Sequence, residues 1–150
     1  MADGFDTSEV DAYADLLLEI ARRDLPKESK KFVQQEGNKL RKKTLSLANQ
    51  RVKKSPNHKG GEDSRYHKNI KRGKVYIYKE NGGTAVRVHS SKAPHAHLIE
   101  YGHRIVDENG NETGTVKGKY VFEDAAKQFE SEFNSDIEDF LDEALGGISK

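Results

Sequence analysis

Residues 120–145 read YVFEDAAKQFESEFNSDIEDFLDEAL, and this stretch decides the fold. Its apolar residues recur at gaps of three and four, close to the period of an α-helix. We therefore predict a long amphipathic helix over about 120–145, whose apolar stripe is the main core or interface surface and which ends at Gly146 and Gly147. The stripe consists of Phe122, Ala126, Phe129, Phe133, Ile137, Phe140 and Ala144.

Two further helices are predicted in the first third of the chain. The first, over about 8–23, places Val10, Tyr13, Leu17 and Ile20 on one face, and Pro26 is expected to interrupt it because proline fits only a first helical turn. The second, over about 26–52, is a basic rod with a narrow apolar stripe. That stripe comprises Phe32, Val33, Leu40, Leu47 and Ala48.

The middle of the chain has the patterns of short strands. Residues 75–78 and 84–89 predict a hairpin around Asn81 and Gly82, with Val75 and Ile77 facing Val86 and Val88. A short helix over 94–101, stopped by Gly102, and a second strand pair at 103–106 and 115–117 follow. The chain is thus predicted to be one α+β domain over 1–150, with an antiparallel sheet of about four strands flanked by the long basic N-terminal helix and the amphipathic C-terminal helix. Residues 1–24 form the N-terminal helix region, and 55–65 are predicted to be a flexible loop.

Charge is segregated along a chain of nearly neutral net charge, +1. Residues 1–21 hold six acids and no base, whereas residues 22–74 hold 18 Lys or Arg against five acids. Residues 107–143 hold 12 acids against three bases. Such blocks can pair within a subunit, pair between subunits or meet phosphate. Hydrophobic residues make up only 33% of the chain, so the core is expected to be thin, as is common in subunits stabilised by neighbours.

The sequence lacks the motifs of several common classes of enzyme and metal site. There is no cysteine, no Gly-x-Ser-x-Gly turn and no phosphate-binding glycine motif. Four histidines fall within 15 positions of the sequence and could suggest a zinc site, but no HExxH pair accompanies them. We expect these residues to form hydrogen bonds where the short helix meets the hairpin. They are His89, His95, His97 and His103. We predict no enzyme activity, no cofactor and no catalytic or metal-ligating residue. A DNA-binding protein using the basic segment 27–74 and a His-dependent metal hydrolase remain the alternatives.

Residues 93–103, Ala-Pro-His-Ala-His-Leu-Ile-Glu-Tyr-Gly-His, carry a family resemblance. They resemble the hallmark segment of the phage morphogenesis family named for the tenth gene product of a lambdoid phage, which is related to minor tail protein Z type proteins. The order of elements over about 25–145 is also similar, although the proline that often precedes the last helix of the family is missing before Tyr120. The family pattern is occupied here by Ala96, Leu98, Ile99, Glu100, Tyr101, Gly102 and His103.

The resemblance implies a structural virion protein in head-tail joining or tail completion. Its partners would be copies of itself in a ring, other phage neck and tail proteins and packaged DNA, but no membrane. It would be located at the head-tail junction or tail end of the virion, and in the host cytoplasm during assembly. We interpret the motif as a packing device, in which Glu100 accepts hydrogen bonds and Gly102 permits an abrupt turn.

A contact between neighbouring subunits is predicted from the charge blocks. The acidic last helix of one subunit would face the basic helix of the next, and this pairing would weaken as salt rises. The interface candidates are Lys30, Lys39, Lys42, Lys43, Phe129, Phe133, Phe140, Glu130 and Glu138.

Overall fold

The computed structural model of the chain describes residues 8–56, 62–63 and 65–146. It opens with a helical rod over 8–51, made of helix α1 (Ser8–Glu19), a π-helical turn (Ile20–Asp24) and helix α2 (Leu25–Arg51). The predicted boundary between two α-helices near Pro26 is present, since α1 ends at Glu19 and α2 begins at Leu25, but the segment between them is a π-helical turn and not a break in the helical path. Pro26 lies in the first turn of α2, where its missing N–H costs no helical hydrogen bond, and the π-turn before it keeps the chain helical.

The last helix, α5 (Val121–Gly146), packs antiparallel against α2. Both long helices agree with the predicted bounds to within one residue. Phe129 of the predicted stripe is buried, but Ala126 is exposed and Ala125 is buried in its place. The contact face of α5 thus follows Val121, Ala125 and Phe129 in its first turns. Gly147, the second predicted stop residue, lies outside the described residues.

Among the residues described between the long helices there are eight short strands and two short helices. The strands form four separate antiparallel pairs, β1–β2, β3–β6, β4–β5 and β7–β8. The α+β class is confirmed, whereas the predicted sheet of about four strands is not what these strands form. Their bounds are β1 Ser55–Pro56, β2 Glu62–Asp63, α3 Arg65–Lys68, β3 Ile70–Arg72, β4 Tyr76–Ile77, β5 Thr84–Ala85, β6 Val88–Ser90, α4 Ala96–Tyr101, β7 Gly102–Val106 and β8 Glu112–Lys117.

The first predicted hairpin is present but shorter. Ile77 pairs with Thr84, and the turn closes where the Gly82 N–H donates to the Tyr78 carbonyl at 2.8 Å. Val88, predicted to face Val75 and Ile77, instead pairs with Arg72. The predicted strand over 84–89 is therefore divided into β5 and β6, which pair with different strands. The prediction missed this division because it did not include a strand at 70–72.

The second predicted strand pair and the short helix are confirmed with small shifts of their bounds. The strands β7 and β8 include the predicted 103–106 and 115–117, and α4 lies within the predicted 94–101. Within the predicted loop over 55–65, the segments 55–56 and 62–63 pair as strands, while 57–61 and 64 lie outside the described residues.

The hydrophobic core is small and lies where four segments meet: the end of α2, the α3–β3 segment, the loop before α4 and the start of α5. Ile70 and Val121 are its largest fully buried apolar side chains. The core comprises Leu47, Ala48, Tyr66, Ile70, Ala93, Val121 and Ala125.

Candidate functional site

The motif residues lie at a junction where α4 meets the start of α5. Helix α5 begins after Tyr120, which has a positive φ of 47° and cannot supply the usual Ser, Thr, Asp or Asn cap. The buried carboxylate of Glu100 supplies the cap instead. Its Oε2 accepts the Phe122 N–H at 3.1 Å and its Oε1 accepts the Glu123 N–H at 3.0 Å. A carboxylate at this end also suits the positive pole of the helix dipole.

The backbones at this junction approach each other closely. The Lys119 N–H donates to the Ile99 carbonyl at 2.8 Å, and the Tyr120 N–H donates to the Glu100 carbonyl at 3.2 Å. A Cβ on Gly118 would collide with the Glu100 carbonyl oxygen, and one on Gly102 with the Val116 carbonyl oxygen. The turn at Gly102 has φ 80° and ψ 177°, so its positive φ is as predicted while its ψ is extended. These contacts support the interpretation of the motif as a packing device.

Tyr66 is a core residue whose electrostatic environment includes Glu100 of this junction. It is 3% exposed, and its hydroxyl has no hydrogen-bond partner within the described part of the chain. Burial, with a smaller contribution from the negative charge of Glu100, raises the pKa of Tyr66 to about 12. The hydroxyl therefore stays neutral at physiological pH, where it acts as a core side chain.

A cavity of about 470 Å³ lies beside the junction and is lined by basic and apolar side chains. Leu98, Ile99 and Val116 give it apolar walls, and none of the described Asp or Glu residues lines it. Its exposed lysines, Lys53, Lys117 and Lys119, make no side-chain ion pair among the described residues. We call this the cationic cavity. Sequence reasoning missed it because its lining comes from segments far apart in the chain.

The histidines are distributed around the cavity rather than gathered on one point. His95 and His103 line the cationic cavity, as does the buried His67, whose Nε2 lies 3.1 Å from the Val52 carbonyl oxygen. His97 is exposed and His89 is half-buried. Among the residues that the structure describes, no group of three His, Asp or Glu is placed to hold a metal ion.

The basic α2 and the acidic α5 pair within one chain. The Lys39 Nζ lies 2.6 Å from Asp136 Oδ2 and 3.1 Å from Glu36 Oε1, and the Lys43 Nζ donates to the Gln128 carbonyl at 3.2 Å. At the end of α2, the Arg51 Nη1 lies 2.5 Å from Asp124 Oδ2. These contacts explain part of the charge segregation as intrachain pairing.

Aromatic rings extend the same helix contact. Phe32 of α2 stacks on Phe140 of α5 with ring centroids 4.7 Å apart, and Phe129 contacts Phe133 at 5.9 Å. Of the predicted interface residues, Lys39, Lys43 and these three α5 phenylalanines are thus engaged within the chain. The other predicted interface residues are exposed, and their contact with a neighbouring subunit stays a prediction. They are Lys30, Lys42, Glu130 and Glu138.

Glu36 provides a test of the α2–α5 charge cluster. Burial raises the pKa of this carboxyl, outweighing the opposite effect of Lys39, so the folded chain binds its proton more tightly than the unfolded chain. Stability should therefore fall as pH rises from about 4.5, the ordinary pKa, through the raised value. Glu36→Gln removes this cost while Lys39 keeps its contact with Asp136, and we expect its unfolding free energy at pH 7 to rise by an amount on the order of 1 kcal/mol.

Urea denaturation at several pH values checks this expectation. The control is Glu28→Gln, because Glu28 is an exposed acid of the same helix that also pairs with a lysine, Lys31, at 3.2 Å. It should change stability by less than about 0.5 kcal/mol. A Glu36→Gln variant less stable than wild type at pH 7 would show that the carboxylate is net stabilising.

Large apolar side chains are exposed on several elements outside the core, including α1, the β4–β5 hairpin, the β7–β8 hairpin and the end of α5. On α1, Val10 is 62% and Leu18 is 49% exposed, and on the β7–β8 hairpin Val106 is 59% exposed. Leu17, from the predicted α1 stripe, is half-buried. The structure does not describe the side chains of the other two stripe residues, Tyr13 and Ile20. Apolar side chains that are exposed next to one another on a surface are candidates for contact with a partner, whereas single exposed ones are common on monomers.

Comparisons with known proteins gave no relative to compare with this site: no family model matches the chain, and the searches of curated proteins and of solved structures found no match. None of the helices described is long and apolar enough to cross a membrane.

Proposed function

We propose that this chain is a structural subunit that acts by self-association, as a ring-forming component of head-tail joining or tail completion in a long-tailed phage. The observation that carries the proposal is the apolar surface on α1 and on the β7–β8 hairpin. A chain with so thin a core gains stability when a neighbour covers such surfaces. In this role it needs no catalytic residue and no cofactor.

The extent of the surface supports the same proposal. The chain exposes 11620 Å². A compact monomer of its mass exposes about 7,700 Å². The helical rod and the hairpin account for part of this difference, since both extend from the core with solvent around them. Elements that extend in this way are suited to reach neighbouring subunits.

The phage assignment is supported by the resemblance at residues 96–103. Glu100 and Gly102, the most distinctive positions of that pattern, fix the start of α5 and the turn into β7. The expected partners are other copies of the chain and neck or tail proteins, and the expected location is the head-tail junction or the tail end of the virion.

A DNA-binding role is the second candidate, because exposed lysines remain on the basic segment. Lys30, Lys42 and Lys71 are exposed, and clustered cations suffice for contact with phosphates. However, Lys39, Lys43 and Arg51 of the same block are used within the chain. We therefore favour contact with packaged DNA as an addition to the assembly role.

Self-association is the result that tests the proposal. In sedimentation velocity, we expect the wild-type chain to form a discrete oligomer as its concentration rises, without added DNA. Replacing Ile105 and Val106 together with serine should weaken that association at least tenfold, because both side chains are exposed apolar groups on the hairpin. The matched control replaces Thr113 with serine on the neighbouring strand.

The assembly of infectious phage particles provides a second test. A phage that encodes this chain but carries a stop codon in its gene should yield heads and tails that do not join, and supply of the wild-type chain in trans should restore infectious particles. A chain that stays monomeric at every concentration and is dispensable for particle assembly would refute the proposed function. Binding to random duplex DNA without self-association would favour the second candidate.

A further inference from the structure

The exposed α1 and the cationic cavity have complementary chemistry. Asp11, Asp15 and Glu19 lie four residues apart along α1, which places them in one row, and Leu18 lies beside that row. The described part of α1 contains no base. The cavity has apolar walls and exposed lysines at its edge. An apolar ridge bordered by acids therefore matches an apolar depression bordered by cations.

The two surfaces lie at opposite ends of the helical rod. Arg51 and Val52, which line the cavity, are at the end of α2, whereas Glu19 is the last residue of α1. At 1.5 Å per helical residue, the rod separates them by about 50 Å. The α1 helix of a chain cannot reach the cavity of the same chain, so its occupant must come from another molecule.

We propose that the cationic cavity is the docking site for α1 of a second copy of this chain, with Leu18 entering between the apolar walls and the acids of α1 meeting Lys53, Lys117 and Lys119. This inference rests on the proposed self-association and names one contact within it, in which α1 of one copy meets the cavity of the next. Because each copy offers α1 at one end and the cavity at the other, the contact repeats head to tail. Such a contact closes into a ring when the rotation between neighbouring copies allows it, with a reciprocal pair as the smallest case, and otherwise extends into an open filament.

Charge exchange between the two surfaces tests the docking directly. One variant makes α1 basic, Asp11→Lys with Asp15→Lys, and the other makes the cavity acidic, Lys53→Glu with Lys117→Glu. Each alone brings like charges together, and we expect its self-association to weaken at least tenfold at low salt. A chain that carries all four substitutions restores opposite charges at every contact, whatever the number of subunits, and should recover association to within about threefold of wild type. An equal mixture of the two variants restores them only where the variants alternate, so it should recover association fully in a ring with an even number of subunits.

Two controls carry the same change of charge at exposed positions that belong neither to α1 nor to the lining of the cavity. They are Lys74→Glu with Lys92→Glu, and Asp139→Lys with Asp142→Lys. Both should associate as the wild type does. Circular dichroism confirms that every variant is folded before its mass is measured by sedimentation velocity and native mass spectrometry.

The outcomes separate this inference from the proposed function. A wild-type chain that never associates overturns both. If the wild type forms an oligomer but the basic-α1 variant forms it equally well, only the docking is overturned, and the cavity then serves another ligand. Loss in both single variants without recovery in the chain that carries all four substitutions also overturns the docking, since it shows that the two surfaces do not meet.

Discussion

Replacing Gly102 with alanine is expected to lower the unfolding free energy by about 4 kcal/mol, more than the same substitution at Gly110 or Gly118. Gly102 has φ 80° and ψ 177°, a backbone conformation that is essentially restricted to glycine. The added Cβ would also collide with the Val116 carbonyl oxygen and lie 2.7 Å from the Gly118 nitrogen. Backbone atoms held in the β7–β8 ladder cannot move aside without breaking strand pairing.

Two other glycines separate the causes of this loss. Gly110 has a similar φ of 83° but no atom within 4 Å of its would-be Cβ, so Gly110→Ala should cost only about 1 kcal/mol of backbone strain. Gly118→Ala lacks that strain but meets the Glu100 carbonyl oxygen, and should fall between the two. Urea denaturation midpoints at a common slope give the three values. Equal losses for Gly102→Ala and Gly110→Ala would exclude the close approach as a cause.

The two long helices could be predicted because their signal is local. The stripe that includes Phe129 and Phe133 repeats over seven turns, and no alternative period competes with it. The continuity of the rod through Pro26 could not be predicted in the same way. Proline favours the end of one helix and the first turn of the next equally, and only the π-turn at 20–24 shows that both helices are joined.

The strands were harder to predict because their partners are distant and they are only two to six residues long. One signal was available at Gly37, in the interior of a helix where glycine is unfavourable. A Cβ there would lie 2.8 Å from side-chain atoms of Arg72 and Val86, so the glycine marks a close approach of α2 to the β strands. An interior glycine of this kind predicts an approach but does not identify its partner.

The candidate site was predictable in part. The motif places Glu100 and Gly102 together, and the expectation that Glu100 accepts backbone hydrogen bonds is confirmed by its two bonds at the start of α5. The donors lie more than 20 residues further along, and nothing in the local pattern identifies them. The pairing of Lys39 with Asp136 shows the same limit, since charge segregation alone does not distinguish pairing within a chain from pairing between chains.

Glu100→Ala is expected to lower the unfolding free energy by about 3 kcal/mol, because it leaves the Phe122 and Glu123 N–H groups without acceptors at a partly buried helix end. Glu100→Gln keeps one carbonyl acceptor but replaces the other oxygen with a donor and removes the charge that suits the helix dipole. Its loss should be about 2 kcal/mol. Glu123→Gln is the control, since Glu123 is an exposed acid of the same first turn, and it should cost less than about 0.5 kcal/mol.

Amide hydrogen exchange locates the effect. In Glu100→Ala, exchange should accelerate most at Phe122 and Glu123, the two donors, and less at residues further along α5, because a missing cap frays the first turn before the rest. In the Glu123→Gln control the same amides should exchange at the wild-type rate. If Glu100→Ala kept wild-type stability and wild-type exchange at Phe122, Glu100 would not be a structural cap, and a buried carboxylate held for chemistry would become the better interpretation.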